Sequence, residues 1–289
     1  MILPSARMYT SRDGRVRASK SARRLPNRRC PFCTEYSSSA VDFAPARGLR
    51  LCLSSLRRTD SRAARYVTSV VAGNGRGAVH LFARDDERFA MLLERTGPKT
   101  LADVTDFDEA VGILGQLSHR LAVDAPAGLP RLSDLVADWA GEIRTTAAEL
   151  GDPLPCRVLD AAAETLRDLG SGQPETLVHG DLHDANVLAG EREPWLAIDP
   201  KGYVGDPAYD TITVLRSYRF APLLFAADPG AGIRRGLDLY CEAAGVDRDR
   251  ARRWAQVRAV KAALWGRRHG DPDWLTRATD QLAEILLSG

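Results

Sequence analysis

LVHGDLHDANVL, residues 177–188, sets an aspartate, Asp181, five positions ahead of an asparagine, Asn186. A second aspartate, Asp199, stands in WLAIDP, residues 195–200. Three short apolar runs surround these polar groups: TLVH (176–179), NVLA (186–189) and WLAI (195–198), the last two joined by the turn residues GERE (190–193). Such short runs, rich in aliphatic side chains and bounded by turn residues, predict strands. Asp181 then lies on the loop after the first strand, and Asp199 just past the third. The hairpin between them folds Asn186 and Asp199 towards one another although 13 residues separate the two.

Outward from this core the pattern turns helical. Phe107, Val111, Leu114, Leu117 and Leu121 recur at i+3/i+4 spacing, with Thr105 or Asp106 as N-cap. Leu132, Leu135, Trp139 and Ile143 form a second stripe. Val158, Ala162, Leu166 and Leu169 form a third, closed by Gly170 at a C-cap position. Beyond Asp210 two more stripes follow, through Trp254, Val257, Lys261 and Leu264, and through Leu275, Ala278, Leu282 and Ile285. Ahead of the helices, AVHLF (78–82), the turn ARDDER (83–88) and FAMLLER (89–95) read as a β-hairpin. A helical body with an embedded β-loop core predicts an α+β fold and not a doubly wound sheet.

The front of the chain differs. Residues 1–70 carry 15 Lys+Arg against 4 Asp+Glu, whereas the remainder carries 25 against 34. Up to about Arg65 no helical or strand period is visible, and tracts such as SKSARRLPNRR (19–29) have the composition of disordered chain. The expected organisation is a basic, Arg/Ser-rich, mostly disordered segment over 1–72, an N-lobe remnant of hairpin and hinge over 73–97, and a helical lobe over 98–289. Cys30-Pro31-Phe32-Cys33 is a single CxxC, which cannot complete a tetrahedral zinc site alone. Five cysteines in 289 residues give no disulfide framework and fit a reducing compartment. The longest apolar run, Phe220–Ala227, is far shorter than the ~18 residues of a membrane span, so the expected location is the cytoplasm, with no membrane partner. The arginines lack aromatic interleaving or a reading helix, so no nucleic-acid partner is expected.

An aspartate, an asparagine five residues on, and an isolated aspartate at a strand end suit phosphoryl transfer, which asks a protein mainly for positioning and charge neutralisation. One carboxylate, Asp181, orients the acceptor hydroxyl and takes its proton; an amide oxygen (Asn186) and a second carboxylate (Asp199) are hard ligands for magnesium. Taken singly, each of the three could be a turn or capping residue; the ordered set favours the chemistry. VHGDLHDANVL together with AIDPKGYVGDPAYD (197–210) resembles the aminoglycoside phosphotransferase family, and most closely its streptomycin 6-kinase and hydroxyurea kinase branch. On these motifs the resemblance runs from about Gly75 to the C-terminus. It implies a protein-kinase-like fold, ATP with Mg2+ as donor, a small aminoglycoside-like alcohol as acceptor, and antibiotic resistance as the outcome. It further implies Asp181 as catalytic base, Asn186 and Asp199 as magnesium ligands, and Leu93, Glu94 and Arg95 as the hinge whose backbone meets adenine. His179 and His183 are read as orienting the loop, Asp206 and Asp210 as pinning it. Lys201 fits both a phosphate-binding role and a plain surface charge.

The chain departs from that family at the front. Only Lys20, Lys99, Lys201 and Lys261 exist, and none sits in a strand ahead of the hinge, where a kinase grips the α/β-phosphates. No glycine-rich phosphate loop is legible either. One expectation is therefore that 1–72 comes from a wrong reading frame or start. A second is an inactive or non-catalytic nucleotide-binding relative of the kinases. Within catalytic readings, hydroxyurea or another small metabolite is the alternative acceptor.

Overall fold

Weak alternation in the first third of the chain does not prevent its backbone from pairing into strands. The computed structural model describes five strands between residues 9 and 55, and then residues 75–85, 90–215 and 221–287. Two strands, β1 (Tyr9–Thr10) and β2 (Val16–Arg17), pair only with each other. The next five make one antiparallel sheet: β3 (Arg23–Arg24), β4 (Ser39–Asp42), β5 (Leu51–Ser55), β6 (Leu81–Asp85) and β7 (Ala90–Glu94), in the order β3-β4-β5-β7-β6. Strand pairing within 1–72 thus differs from the reading that saw no strand period there. Strands of two to five residues rich in Ser and Arg are too short to print an alternation; β5 pairs with β7, and β4 and β3 follow outward from it. Cys30 and Cys33 lie outside the described residues.

The expected hairpin exists with shifted bounds. Ala78 and Val79, read as its first strand, instead run beside the later β-hairpin: Val79 N–H donates to Ala197 O at 3.2 Å, and Ala197 N–H to Gly77 O at 2.7 Å. The first strand begins only at Leu81. Val79, Met91, Leu93 and Leu196 form a small buried cluster, so the sheet is seated on the hairpin that leads to Asp199.

The helical body follows: α1 (Phe107–Leu121), α2 (Leu132–Val136), α3 (Trp139–Glu149) and α4 (Cys156–Leu169), then, after the β-loop core, α5 (Thr211–Leu215), α6 (Ala221–Leu224), α7 (Pro229–Ala244), α8 (Arg248–His269) and α9 (Asp273–Ile285). Asp106 caps α1, its carboxylate accepting from Glu109 N–H at 2.8 Å. The stripe from Leu132 to Ile143 is two helices and not one. Ala137 and Asp138 keep near-helical dihedrals across the break, so the apolar phase continues through it. Gly115 lets α1 lie directly on α7, since a Cβ there would come within 2.6 Å of Ala243 Cβ and 2.8 Å of Tyr240 O. Trp254 and Tyr240, both fully buried, fill the centre of the main core. Among the described residues no helix is long and apolar enough to cross a membrane.

Two two-stranded elements carry the polar loops. β8 (Leu177–Val178) pairs with β11 (Tyr203–Val204), and β9 (Val187–Ala189) pairs with β10 (Trp195–Ala197) with Ala197 opposite Val187. Both pairings bring the ends of β8, β9 and β10 to one place.

Candidate active site

At the end of β8 the chain must turn sharply under Tyr203, and Gly180 makes this possible. It sits at φ +81°, and a Cβ there would come within 2.7 Å of the Tyr203 ring. Asp210 fixes the turn from 30 residues away, its two carboxylate oxygens accepting from His179 N–H at 3.1 Å and Gly180 N–H at 2.8 Å. Burial pushes the Asp210 carboxyl up to about 7, against the pull of Arg258 and of these two donors. His179 completes the frame. Its Nδ1 accepts from Asp181 N–H at 3.2 Å, so Nε2 carries the proton and donates to Ile198 O at 3.1 Å. Burial brings this imidazole down to about 4, which keeps it neutral in that tautomer. Asp206 pins the following loop: it accepts from Ala208 N–H at 3.0 Å and Trp254 Nε1–H at 2.7 Å, and pairs with Arg250.

The three residues singled out by spacing meet here. The Asn186 amide N–H donates to the Asp181 carbonyl at 3.0 Å, which leaves the amide oxygen as the group able to face a cation. The Asn186 carbonyl accepts from Ile198 N–H at 2.9 Å, so the residue before Asp199 is tied to Asn186. Asp199 itself holds a left-handed backbone, φ +58°, an arrangement that costs a non-glycine residue about 1 kcal/mol and clusters at working sites.

Asp181 and Asp199 respond differently to their surroundings. Burial alone would raise Asp181, but Lys201 first, then His183, His179 and Arg258, bring it below the ordinary carboxylate value. Asp199 is pushed up to about 6 by burial and by the charge of Asp181, with only Lys201 opposing. One carboxylate is thus held ionised and the other lacks compensation for its charge, which a divalent cation would supply. Among the described residues no group of three or more His, Cys, Asp or Glu side chains converges as a metal cage. An amide oxygen and one carboxylate fit magnesium, which keeps waters and takes phosphate oxygens for its other positions.

Leu93, Glu94 and Arg95 stand where the upper sheet ends. The Leu93 side chain is in the small buried cluster. Glu94 N–H donates to His80 O at 2.8 Å, and its carboxylate takes His80 N–H at 3.0 Å and Arg192 Nη2 at 2.9 Å. After Arg95 the chain crosses to the lower hairpin, where Gly97 N–H meets Ala189 O at 2.7 Å. Sequence reading missed the Arg192 strap, which also donates to Ala78 O at 2.8 Å; nothing in GERE distinguishes it from a solvated turn. It also left Lys201 open. Lys201 Nζ lies 3.7 Å from Asp181 Oδ2.

Comparison with known proteins adds to this geometry. The profile of the family described as aminoglycoside/hydroxyurea antibiotic resistance kinase matches residues 26–270. The streptomycin 6-kinase of Streptomyces glaucescens is 40% identical over 212 residues, which span 73% of this chain and 68% of that relative. The hydroxyurea phosphotransferase of Kitasatospora aureofaciens is 33% identical over 237 residues, 79% of this chain and 65% of that one. In three dimensions, aminoglycoside 2'-phosphotransferase-IIIa, solved as its GDP complex, superposes with a TM-score of 0.55 at 16% identity, covering 92% of each chain. That likeness concerns the fold, which is protein-kinase-like. The profile match begins at residue 26, ahead of Gly75 where the motifs first carry the resemblance.

Proposed function

The chain belongs to the aminoglycoside/hydroxyurea antibiotic resistance kinase family, and from that premise we propose that it transfers the γ-phosphoryl group of ATP to a hydroxyl of a streptomycin-like aminoglycoside. What supports this reading is the approach of Asp181, Asn186 and Asp199 to one another, with the Asp181 carboxyl brought below its ordinary value and that of Asp199 pushed up to about 6. Asp181 accepts a hydrogen bond from the acceptor hydroxyl and takes its proton late, as the new O–P bond forms and the bond to the bridging oxygen of ADP breaks. Asn186 and Asp199 would hold magnesium, which when bound neutralises phosphate charge. His179 does not touch the reacting atoms; it positions Asp181 through the Asp181 N–H. The backbone of Leu93 to Arg95 would meet the adenine ring.

One observation favours a second reading, nucleotide binding without turnover. Strand β5, beside the hinge strand β7, reads LCLSS and carries no lysine to grip the α/β-phosphates. Incubating the chain with γ-labelled ATP, Mg2+ and either streptomycin, hydroxyurea or choline separates the two. Label on streptomycin supports the proposal, and label on hydroxyurea moves the acceptor. Nucleotide binding with no labelled acceptor leaves only the second reading.

A further inference from the structure

We propose that Lys201 is a phosphoryl-binding residue: its ammonium leaves Asp181 to hold the γ-phosphate of the bound nucleotide. The inference rests on the phosphotransferase reading above. Lys201 is anchored at its backbone and loose at its tip. Its N–H donates to His179 O at 2.8 Å and the next N–H, of Gly202, to the same oxygen at 3.2 Å, so the residue is fixed to the loop that carries Asp181. Its Cβ lies 3.2 Å from where a Cβ on Gly180 would stand. The ammonium, by contrast, is 3.7 Å from Asp181 Oδ2, beyond hydrogen-bond range, with 34% of the side chain exposed against 15% for Asp181. The ammonium is a third exposed and makes no hydrogen bond to Asp181, so it can turn to a triphosphate, which offers a more highly charged partner.

The other cations nearby are committed. The Arg258 guanidinium lies 4.3 Å from the Tyr209 ring centroid and donates to Tyr209 O at 3.5 Å. Lys99 Nζ stands 5.7 Å from the Trp195 ring, and Lys261 pairs with Glu142 over the Trp139 ring. Among the described residues, Lys201 is then the lysine placed beside Asp181 and two positions past Asp199. It moves no proton in this role; it remains an ammonium that offsets charge on the phosphoryl oxygens.

Calorimetric titration tests the assignment without requiring turnover. Wild type, Lys201→Met and Lys201→Arg are titrated, in the presence of Mg2+, with ADP and with an ATP analogue whose β–γ bridge cannot be cleaved. Lys201→Met is expected to weaken the triphosphate roughly ten- to hundredfold while ADP stays within about twofold. Lys201→Arg should recover most of the loss, and retained ADP binding shows that the variants are folded. Unchanged triphosphate affinity in Lys201→Met overturns the inference and leaves the phosphotransferase reading standing. Equal weakening of both nucleotides also overturns it, assigning Lys201 to loop structure. If wild type binds neither nucleotide, the ATP reading fails, and this inference with it.

Discussion

Asp181 and Asp199 are the same side chain close enough to influence one another, separated in behaviour by their neighbours. Lys201, His183, His179 and Arg258 all draw Asp181 down, whereas burial and the charge of Asp181 push Asp199 up with Lys201 alone opposing. That difference has a measurable consequence. The Asp199 carboxyl titrates near 6 in the folded chain and near 3.9 when unfolded. Between those values the folded state binds more protons, so the contribution of this group to stability is full below about pH 4 and is lost as pH rises through about 6. Asp199→Asn is therefore expected to raise the melting temperature at pH 7.5 without divalent cation, by ~2–4 °C for each kcal/mol relieved, and to give no gain at pH 4.5. A scanning calorimeter reads both; a lower melting temperature at pH 7.5 would contradict the assignment. The spacing of Asp181, Asn186 and Asp199 was legible because the chain writes it within 19 residues. The partnership of Asp210 with the His179–Gly180 turn was not, since it joins residues 30 and 31 positions apart.

Among the elements, the β8–β11 pair carries the sharpest constraint, because the loop after β8 passes under Tyr203 with only a hydrogen at Gly180. Gly180→Ala adds a methyl against that ring and a side chain at φ +81°. We expect a loss of about 1–3 kcal/mol in denaturant unfolding, together with a fall in transfer rate. Unaltered stability would mean that the turn is not held as described. The helices at 107–121 and 156–169 were readable from their apolar period, and the cap of the first was narrowed to Thr105 or Asp106, of which Asp106 is the one. The break between Val136 and Trp139 was not, because near-helical dihedrals preserve the period across it. The strands of the upper sheet were not legible ahead of Leu81 either. They are short, and the sheet joins the rest through the pairing of β5 with β7, segments about 40 residues apart.

For the molecule as a whole, the upper sheet and the helical body meet at a narrow seam: the Val79–Met91–Leu93–Leu196 cluster, the Arg192 strap and the Gly97 crossing. A nucleotide held between hinge and catalytic loop would tie both parts together. Mg2+ with a non-cleavable ATP analogue at a hundred times its Kd is therefore expected to stabilise the chain by about 2.7 kcal/mol, read as a shift in melting temperature. Mg2+ alone should give much less, since Asn186 and Asp199 supply only part of a coordination shell. A shift of equal size with Mg2+ alone would place the metal site elsewhere. The most direct test of the account is the rate of γ-phosphate transfer from ATP to streptomycin by wild type and by Asp181→Asn at saturating Mg2+-nucleotide. The account predicts transfer by wild type and a fall of about 10²–10⁴-fold in the variant with nucleotide affinity retained. Equal rates in the two proteins would contradict it.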